Sequence, residues 1–328
     1  MGGAHSVIIR SADRGVTWSV ALLTSANLNA IAFLDNGNGW AVGEQEILHS
    51  SDGGTSWNSQ RSNVETDGVG EYLDVAFADS THGVVVGDEF ATPGTFNGPA
   101  FILVTSDGGA HWQRASLNGT PSALGNSAFT SVCFTDDASV GIAVGFGVSG
   151  NVVFLTADHG ATWTDITTRL PTADTNHVAC SGTRDLAVTA GSNTTAVLFR
   201  SSDGGVTWTD LSSHLPAGVR ELHDVSFVDP ATGWAPAFQG ETTAVVVHTA
   251  DRGASWTTEV LPMPAGATLV TSEAVGFATT NDGLVVGSTT QQDGSVVAVA
   301  YVTTNGGASW ATAPLPAEVT ALVSVAIR

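Results

Sequence analysis

One octet recurs seven times along the chain, and this repeat constrains the fold more than any other feature of the sequence. The copies share the pattern Ser/Thr-x-Asp-x-Gly-x-x-Trp, with Asn in place of Asp in the last copy. They occupy residues 11–18, 50–57, 105–112, 156–163, 201–208, 249–256 and 303–310. A period of about 50 residues is typical of repeat architectures, in which each unit buries its apolar faces against its neighbours.

The octet has the composition of a tight turn between two antiparallel strands. An Asp carboxylate accepts hydrogen bonds from nearby backbone N–H groups, and the Gly adopts a positive φ angle without steric cost. The Trp then begins the outgoing strand as a large apolar residue. We therefore interpret the conserved acidic or amide position as structural rather than catalytic in every copy: Asp13, Asp52, Asp107, Asp158, Asp203, Asp251 and Asn305.

Four short strands are predicted for each repeat. From the second octet onward, an apolar strand and a Gly-flanked strand come first, as in Ala30–Asp35 followed by Gly39–Gly43. A third strand runs into the octet and a fourth follows the Trp. These segments are rich in β-branched and aromatic residues, and no helical periodicity persists. The sequence thus predicts one all-β domain over residues 1–328, a seven-bladed β-propeller of four-stranded antiparallel blades.

The two ends of the chain are complementary in this scheme. The first residues resemble a third strand, and residues 320–328 resemble a first strand with no octet after it. We expect this C-terminal strand to join the N-terminal blade and close the ring. One strand of that blade is then unaccounted for, so it has three strands or the chain has been shortened.

Composition limits the classes of partner. The formal net charge is −21, and all ten cationic residues are Arg. Such a chain lacks the basic surface that nucleic acids and anionic membranes require, and it suits a basic partner or high salt. No apolar stretch is long enough to span a membrane, and no signal peptide is recognisable. We expect a monomer in an extracytoplasmic or secreted location, with the cytoplasm as the alternative.

Cys133 and Cys180 fall in the predicted first strands of consecutive blades. Neighbouring blades face each other, so the two side chains could form a disulfide bond. Two buried free thiols are the favoured interpretation, because unpaired Cys behaves as a small apolar residue in protein cores.

Strand order places the octets and the turns between first and second strands on one face. The loops between second and third strands and the connections between blades lie on the other. That second face carries the variable segments Arg61–Tyr72, Gly87–Ala100 and Ser288–Ser295, so we expect the functional site there. The candidate binding residues beside the central channel on this face are Glu71, Asp74, Asp88, Glu89, His177, Arg220, Glu221, His223, Asp224 and Glu273.

These residue types permit two kinds of chemistry. Carboxylates with two histidines could bind a divalent cation, although no other cofactor is indicated. Paired carboxylates could also cleave a glycosidic bond. The candidate catalytic residues are Asp74, Asp224, Glu71, His177 and Glu273. His223 and Asp224 are adjacent on a strand and point to opposite sides, so they cannot act as a catalytic pair. A lectin would instead use exposed aromatic side chains, for which the candidates are Phe90, Phe96, Phe146 and Phe238.

The octets are of the Asp-box (BNR) type, and each is preceded by a strand like Gly39–Gly43. In this combination the chain resembles the photosystem II stability/assembly factor family over essentially its whole length. The resemblance implies a seven-bladed scaffold that binds another protein without catalysis. That family carries an Arg-rich patch, which this chain lacks, so we expect a different client.

The Asp box itself is shared with sialidases, sortilin-type receptors and xyloglucan-degrading hydrolases, and it therefore indicates a fold more than a function. Sialidases also carry an Arg-Ile-Pro signature, which is absent here. The sequence predicts a non-enzymatic propeller that binds a protein or glycan partner on the face opposite the Asp boxes. A glycoside hydrolase or lyase and a lectin are the alternatives.

Overall fold

A computed structural model of the protein describes residues 6–61, 64, 70–92, 95–119, 124–147, 150–171, 175–192 and 195–327. Almost all of the regular structure in these ranges is β-strand. Two 3₁₀ helices that lie wholly within the described residues, Thr167–Arg169 and Ser212–His214, are three residues long. Within the described residues, no helix has the length and apolar character needed to cross a membrane.

The strands form seven sheets in chain order, which we number I to VII. Sheet I has only two strands, and sheets II and III have four each. Sheet I consists of β1 (Ser6–Arg10) and β2 (Ser19–Thr24). Sheet II consists of β3 (Leu28–Phe33), β4 (Gly39–Gly43), β5 (Glu46–Ser50) and β6 (Asn58–Ser59). Sheet III consists of β7 (Gly70–Phe77), β8 (Gly83–Thr92), β9 (Thr95–Thr105) and β10 (Gln113–Arg114).

Sheets IV and VI have five strands, and sheets V and VII have four. Sheet IV consists of β11 (Ser116–Asn118), β12 (Ala128–Phe134), β13 (Gly141–Gly147), β14 (Gly150–Thr156) and β15 (Thr162–Asp165). Sheet V consists of β16 (Thr175–Ser181), β17 (Asp185–Ser192), β18 (Thr195–Ser201) and β19 (Thr209–Asp210). Sheet VI consists of β20 (Val219–Leu222), β21 (Ser226–Phe227), β22 (Gly233–Gln239), β23 (Thr243–Thr249) and β24 (Thr257–Val260). Sheet VII consists of β25 (Ala267–Phe277), β26 (Gly283–Gln291), β27 (Val296–Thr303) and β28 (Ala311–Thr312).

Sheets II to VII are propeller blades. Their consecutive strands pair antiparallel, and only β11 joins its sheet in parallel, beside β15. In sheet VI the two short strands β20 and β21 both pair with β22 and together take the place of one inner strand. The all-β propeller predicted from the sequence is therefore confirmed, with six blades built mainly from four strands.

Apolar side chains hold neighbouring sheets together in chain order. Between sheets III and IV, for example, Val84 and Ile102 belong to the same buried cluster as Phe129 and Trp163. Equivalent clusters join II to III, IV to V, V to VI and VI to VII. Two further clusters join sheet VII to sheet I and sheet I to sheet II. The sheets thus pack around a circle, since the last contacts the first.

The predicted strand at residues 320–328 is not formed over the described residues 320–327, which have no regular secondary structure. The segment nevertheless lies where that strand was expected. Val325 and Ile327 pack in the cluster that contains Val7 and Ile9 of β1, and the Ser324 hydroxyl accepts a hydrogen bond from the Ile31 N–H at 3.3 Å. The described residues of the segment are held in place by apolar packing and form no β-ladder with a neighbouring strand.

All seven octets form the same hydrogen-bonded turn. The Asp or Asn Oδ1 accepts from the backbone N–H four residues later at 2.8–3.0 Å. The leading Ser or Thr hydroxyl accepts from the Gly N–H at 2.8–3.1 Å. That Gly has a φ of 81–90° in every copy, a conformation that favours glycine. The octet carboxylates are thus engaged by the turn itself.

A disulfide bond links Cys133 in β12 to Cys180 in β16, with 5.8 Å between the two Cα atoms. The interpretation of two free thiols is therefore wrong. Inner strands of adjacent blades lie side by side in a propeller, and both Cys residues pack into the cluster between sheets IV and V. The disulfide is thus a covalent bond between two blades.

Candidate functional site

The innermost strand of a blade begins at the face opposite the Asp boxes and carries a β-bulge close to its start. The pairing with the second strand shifts at 28/30, 72/74, 129/131, 175/177 and 272/274 in sheets II, III, IV, V and VII. Bulges redirect side chains. In sheets III and IV the residue after the bulge, Asp74 or Ser131, contacts the adjacent inner strand.

Side chains near the start of the inner strands, two of them directly after a bulge, tie one inner strand to the next. The residue in this position accepts a hydrogen bond from the backbone N–H of the following blade. The pairs are Asp74 Oδ2 with Val132 N at 2.9 Å, Ser131 Oγ with Val178 N at 3.3 Å, and Asp224 Oδ2 with Val275 N at 2.9 Å. Ser324 makes the equivalent contact with Ile31. We call this set the inner ring.

Asp74 and Asp224, the two leading catalytic candidates, both belong to the inner ring. Each also accepts a hydrogen bond through Oδ1 from the N–H of the next residue, at 2.8 Å and 2.7 Å. Burial raises the pKa of each carboxyl to about 7, against the opposing effect of these N–H groups. The charge of Asp224 also contributes to the raised pKa of Asp74.

The two histidines of the predicted site lie close to Asp224. Burial lowers the pKa of His177 to about 4, and the nearby His223 adds to this effect while Glu273 opposes it. His177 Nδ1 is 3.9 Å from Asp224 Oδ1, which is too long for a hydrogen bond. His223 Nδ1 contacts the Ser272 carbonyl oxygen at 2.5 Å. His223 and Asp224 thus make separate contacts, as the strand geometry predicts.

The hydrogen bonds of the inner ring hold neighbouring blades together. Asp74 and Asp224 each accept two backbone N–H groups, one from the same blade and one from the next. Within the described residues, a group of three side chains that could hold a metal ion lies outside the inner ring.

A second group of carboxylates comes from sheets II and III, at the face opposite the Asp boxes. We call Glu44, Glu71 and Asp88 the acidic cleft. Glu71 and Asp88 are opposite each other on β7 and β8, and the backbone of Glu44 pairs with that of Glu71. Glu44 is exposed, whereas Glu71 and Asp88 are 8% and 1% exposed. The exposure of the three residues therefore falls from Glu44, at the surface, to Asp88, which is buried.

Two carboxyl groups of the acidic cleft, Glu71 and Asp88, have raised pKa values. Burial raises the pKa of Asp88 to about 6, and the charge of Glu71 adds to this effect. Burial also raises the pKa of Glu71, with Glu44 contributing and a hydrogen bond from Asn29 at 2.5 Å opposing. Within the part of the chain that the structure describes, Asp88 Oδ1 is buried without a hydrogen-bond partner. Such a group is unfavourable unless something supplies a donor.

The nearest arginines do not compensate these carboxylates. Arg114 forms an ion pair with Glu89 and lies over the Phe101 ring, 5.2 Å from its centroid. Arg61 donates instead to the Gln45 side chain at 3.0 Å. Among the residues that the structure describes, no ion pair reaches Glu71 or Asp88. Sequence reasoning selected Glu71 and Asp88 but missed Glu44 and Asn29, which lie on the previous blade.

The other predicted residues are dispersed. Arg220 donates to the Glu241 carbonyl oxygen at 3.2 Å, and Glu221 Oε2 lies 3.7 Å from His223 Nε2. Phe146 is 45% exposed, and Phe238 packs edge-on against His223. The side chains of Phe90 and Phe96 and most of the connection 61–72 lie outside the described residues.

The comparisons with known proteins agree on the fold. The profile of the family described as photosynthesis system II assembly factor YCF48 matches residues 60–223. No curated protein matches the sequence. Among solved structures, YCF48 bound to D1 peptide has a TM-score of 0.59 and 16% identity, covering 92% of this chain and 88% of that one. YCF48 from Cyanidioschyzon merolae has a TM-score of 0.58 and 19% identity, covering 90% and 87%.

The GH74 xyloglucanase from Xanthomonas campestris has a TM-score of 0.66 and 16% identity, and the match covers 95% of this chain but 47% of the xyloglucanase. At these identities a structural likeness establishes the fold alone. The family profile carries more, because it matches half of the chain and includes the strands that supply Glu71, Asp74, Asp88 and His177. The chain therefore belongs to the photosystem II assembly factor YCF48 family of Asp-box propellers.

Proposed function

We propose that the protein is a non-catalytic, seven-bladed propeller that binds a protein partner through a basic segment at the acidic cleft. The buried carboxylate of Asp88, whose Oδ1 has no hydrogen-bond partner among the described residues, carries this proposal, together with Glu71, which no cation among them neutralises. A Lys or Arg side chain of a partner, reaching past Glu44, supplies the missing donor and the missing positive charge. Hydrogen bonds between charged groups are the stronger ones in recognition.

Two further observations support a basic protein partner. The family is one of assembly factors, and a structural neighbour, YCF48, is bound to a peptide. The net charge of −21 also attracts basic segments and repels acidic ones. The proposed partner is then recognised by its positive charge. It differs in this respect from a partner that binds an Arg-rich patch.

Seven blades are part of the proposal, with sheet I as the incomplete seventh. The support comes from the packing of sheet I, which is held between sheets VII and II by two apolar clusters. The C-terminal segment adds the inner-ring contact between Ser324 and Ile31. A seventh sector with a loosely formed inner strand accounts for both features.

We also propose an extracytoplasmic location and a monomeric state. The disulfide between Cys133 and Cys180 supports the location, because structural disulfides persist in oxidising compartments.

Hydrolase and lectin functions are less well supported. Both carboxylate oxygens of Asp74 and of Asp224 accept backbone hydrogen bonds, and the match to the GH74 enzyme covers less than half of that protein.

The test is isothermal titration calorimetry with three peptides of equal length, which carry Lys and Arg, Gln, or Glu at the same positions. Each is titrated into wild-type protein and into the Asp88→Asn and Glu71→Gln variants. Asp136→Asn is the matched control, because it removes the same charge from an exposed side chain in the turn between β12 and β13, on the Asp-box face. Thermal unfolding of every variant verifies that it is folded.

We expect the basic peptide alone to bind. Asp88→Asn and Glu71→Gln should each weaken it by roughly tenfold or more, the effect of losing one charged hydrogen bond. Asp136→Asn should change the affinity only slightly. Equal affinity for the Gln peptide, or equal losses in Asp88→Asn and Asp136→Asn, would refute the proposal.

A further inference from the structure

On the Asp-box face, two histidines and an aspartate from neighbouring blades converge. Asp79 and His82 lie in the turn between β7 and β8 of sheet III, and His159 lies in the Asp box of sheet IV. One ligand atom from each of the three side chains lies within 4.8 Å of the other two. Asp79 Oδ2 and His82 Nδ1 are 2.8 Å apart, and the two imidazole rings are 5.4 Å apart between centroids.

The backbone fixes the positions of all three residues. Asp79 Oδ1 accepts the N–H groups of Thr81 and His82 at 2.7 and 2.8 Å, which closes the turn. The Thr81 carbonyl oxygen is held by the Gly108 N–H at 2.9 Å. His159 lies inside the hydrogen-bonded Asp-box turn of its own blade, so only side-chain rotation is left to adjust. A site whose backbone is already in place binds an ion at little conformational cost.

His159 occupies a left-handed backbone position, with a φ of 57°. The equivalent residues of the other six Asp boxes are glycines or arginines: Arg14, Gly53, Gly108, Gly204, Arg252 and Gly306. A left-handed position favours glycine. The copy beside His82 therefore carries a potential metal ligand at a place where the fold does not require a side chain.

We propose that Asp79, His82 and His159 form a zinc site that links sheets III and IV. Two imidazole nitrogens and one carboxylate oxygen are a donor set that Zn²⁺ accepts, with water completing the coordination, whereas Mg²⁺ and Ca²⁺ prefer oxygen ligands. Zinc–ligand bonds of about 2.0–2.2 Å require the donor atoms to move slightly closer together. The side chains of Asp79 and His82 are 44% and 39% exposed and His159 is exposed, so the ion has access.

A zinc ion at this position joins two blades non-covalently on the face opposite the acidic cleft. It therefore stabilises the folded ring, because it binds residues that come together only on folding. The inference is independent of the proposed protein-binding function, which uses the other face.

The test is titration of Zn²⁺ into metal-free protein that carries no polyhistidine tag, followed by calorimetry and by the change in melting temperature. His159→Gly removes one ligand and installs the residue found in four of the other Asp boxes. His82→Asn removes another. The matched control is His111→Thr. His111 Nδ1, like His82 Nδ1, contacts a neighbouring carboxylate, here Asp107 at 2.7 Å. Thr stands at the same octet position in three other copies.

We expect one Zn²⁺ per chain, a higher melting temperature with the metal, and no binding of Mg²⁺. His159→Gly and His82→Asn should each weaken Zn²⁺ binding by roughly 10- to 100-fold, as loss of a metal-site partner does. His111→Thr should bind as the wild type does. Absence of zinc binding overturns the proposal, and so does binding that survives in His159→Gly or falls as much in His111→Thr.

Discussion

The inner ring can be tested by replacing Asp74 with Ser. Ser already occupies the equivalent positions 131 and 324, where its hydroxyl accepts the N–H of the next inner strand. Asp74→Ser therefore keeps a hydrogen bond to Val132 while it removes the buried carboxyl. The variant should fold, and the difference should appear in how stability depends on pH.

The sign follows from the raised pKa. Asp74 has a pKa of about 7 in the folded protein, against an ordinary value of 3.8 for this side chain. Between these values the folded state keeps a proton that the unfolded chain releases, so the carboxyl lowers stability as the pH rises, and its effect levels off above pH 7. Each pKa unit corresponds to about 1.4 kcal/mol, so the full change is about 4 kcal/mol. This is an upper limit, because the side chain is partly open to the channel.

The assay is urea unfolding of wild type and Asp74→Ser at several pH values from 4 to 8. We expect the stability of the variant relative to wild type to increase with pH, by at most about 1.4 kcal/mol per pH unit, and to become constant above about pH 7. Taking the difference between the two proteins removes the opposing contribution of His177. A difference that is constant across this range, or that falls with pH, would refute the buried-carboxyl account.

Three further predictions concern the scaffold. Replacing Cys133 and Cys180 with Ser should lower the free energy of unfolding, measured with urea, by about 4 kcal/mol. This is the chain-entropy value for their 47-residue separation. An unchanged urea midpoint would contradict a bond that links the blades. In the fifth Asp box, Asp203→Ala should lower the melting temperature more than Asp203→Asn, because Asn305 makes the same backbone contact in the seventh Asp box. Equal decreases in melting temperature would show that the turn hydrogen bonds contribute little. Hydrogen bonds lower the pKa of Asp13, Asp52 and Asp203 to about 2. These groups stabilise the fold above pH 4, and that contribution is lost as the pH falls towards 2. Calorimetry that shows no loss of stability between pH 5 and pH 2 would contradict this prediction.

The octets allowed the architecture to be predicted from sequence, because turn chemistry is local. Asp and Gly at fixed spacing specify the same hairpin wherever they occur, and Trp163, 0% exposed, shows how the last octet residue anchors a blade core. Contacts between blades are a different matter. The hydrogen bonds from Val132 to Asp74 and from Val275 to Asp224 join residues more than 50 positions apart, and no local pattern specifies them.

The candidate site was predicted only in part for the same reason. Glu71 and Asp88 were recognisable as acidic residues at strand ends, yet Glu44 and Asn29 come from the preceding blade. The β-bulges before Asp74 and His177 changed which side chains reach the next blade. A bulge adds one residue and shifts the alternation that follows it, and strands of this length are too short for the shift to be recognised from sequence. His159 was passed over because its octet was interpreted as purely structural.

The central claim is that the partner binds on one face of the propeller while the Asp boxes on the other face are structural. Hydrogen–deuterium exchange of the protein with and without the basic peptide tests this claim most directly. The account predicts slower exchange on peptide binding at residues 44–46, 70–72 and 87–89, around the acidic cleft. It predicts no change at the seven Asp-box turns. Protection centred on the Asp boxes, with the cleft unaffected, would contradict it.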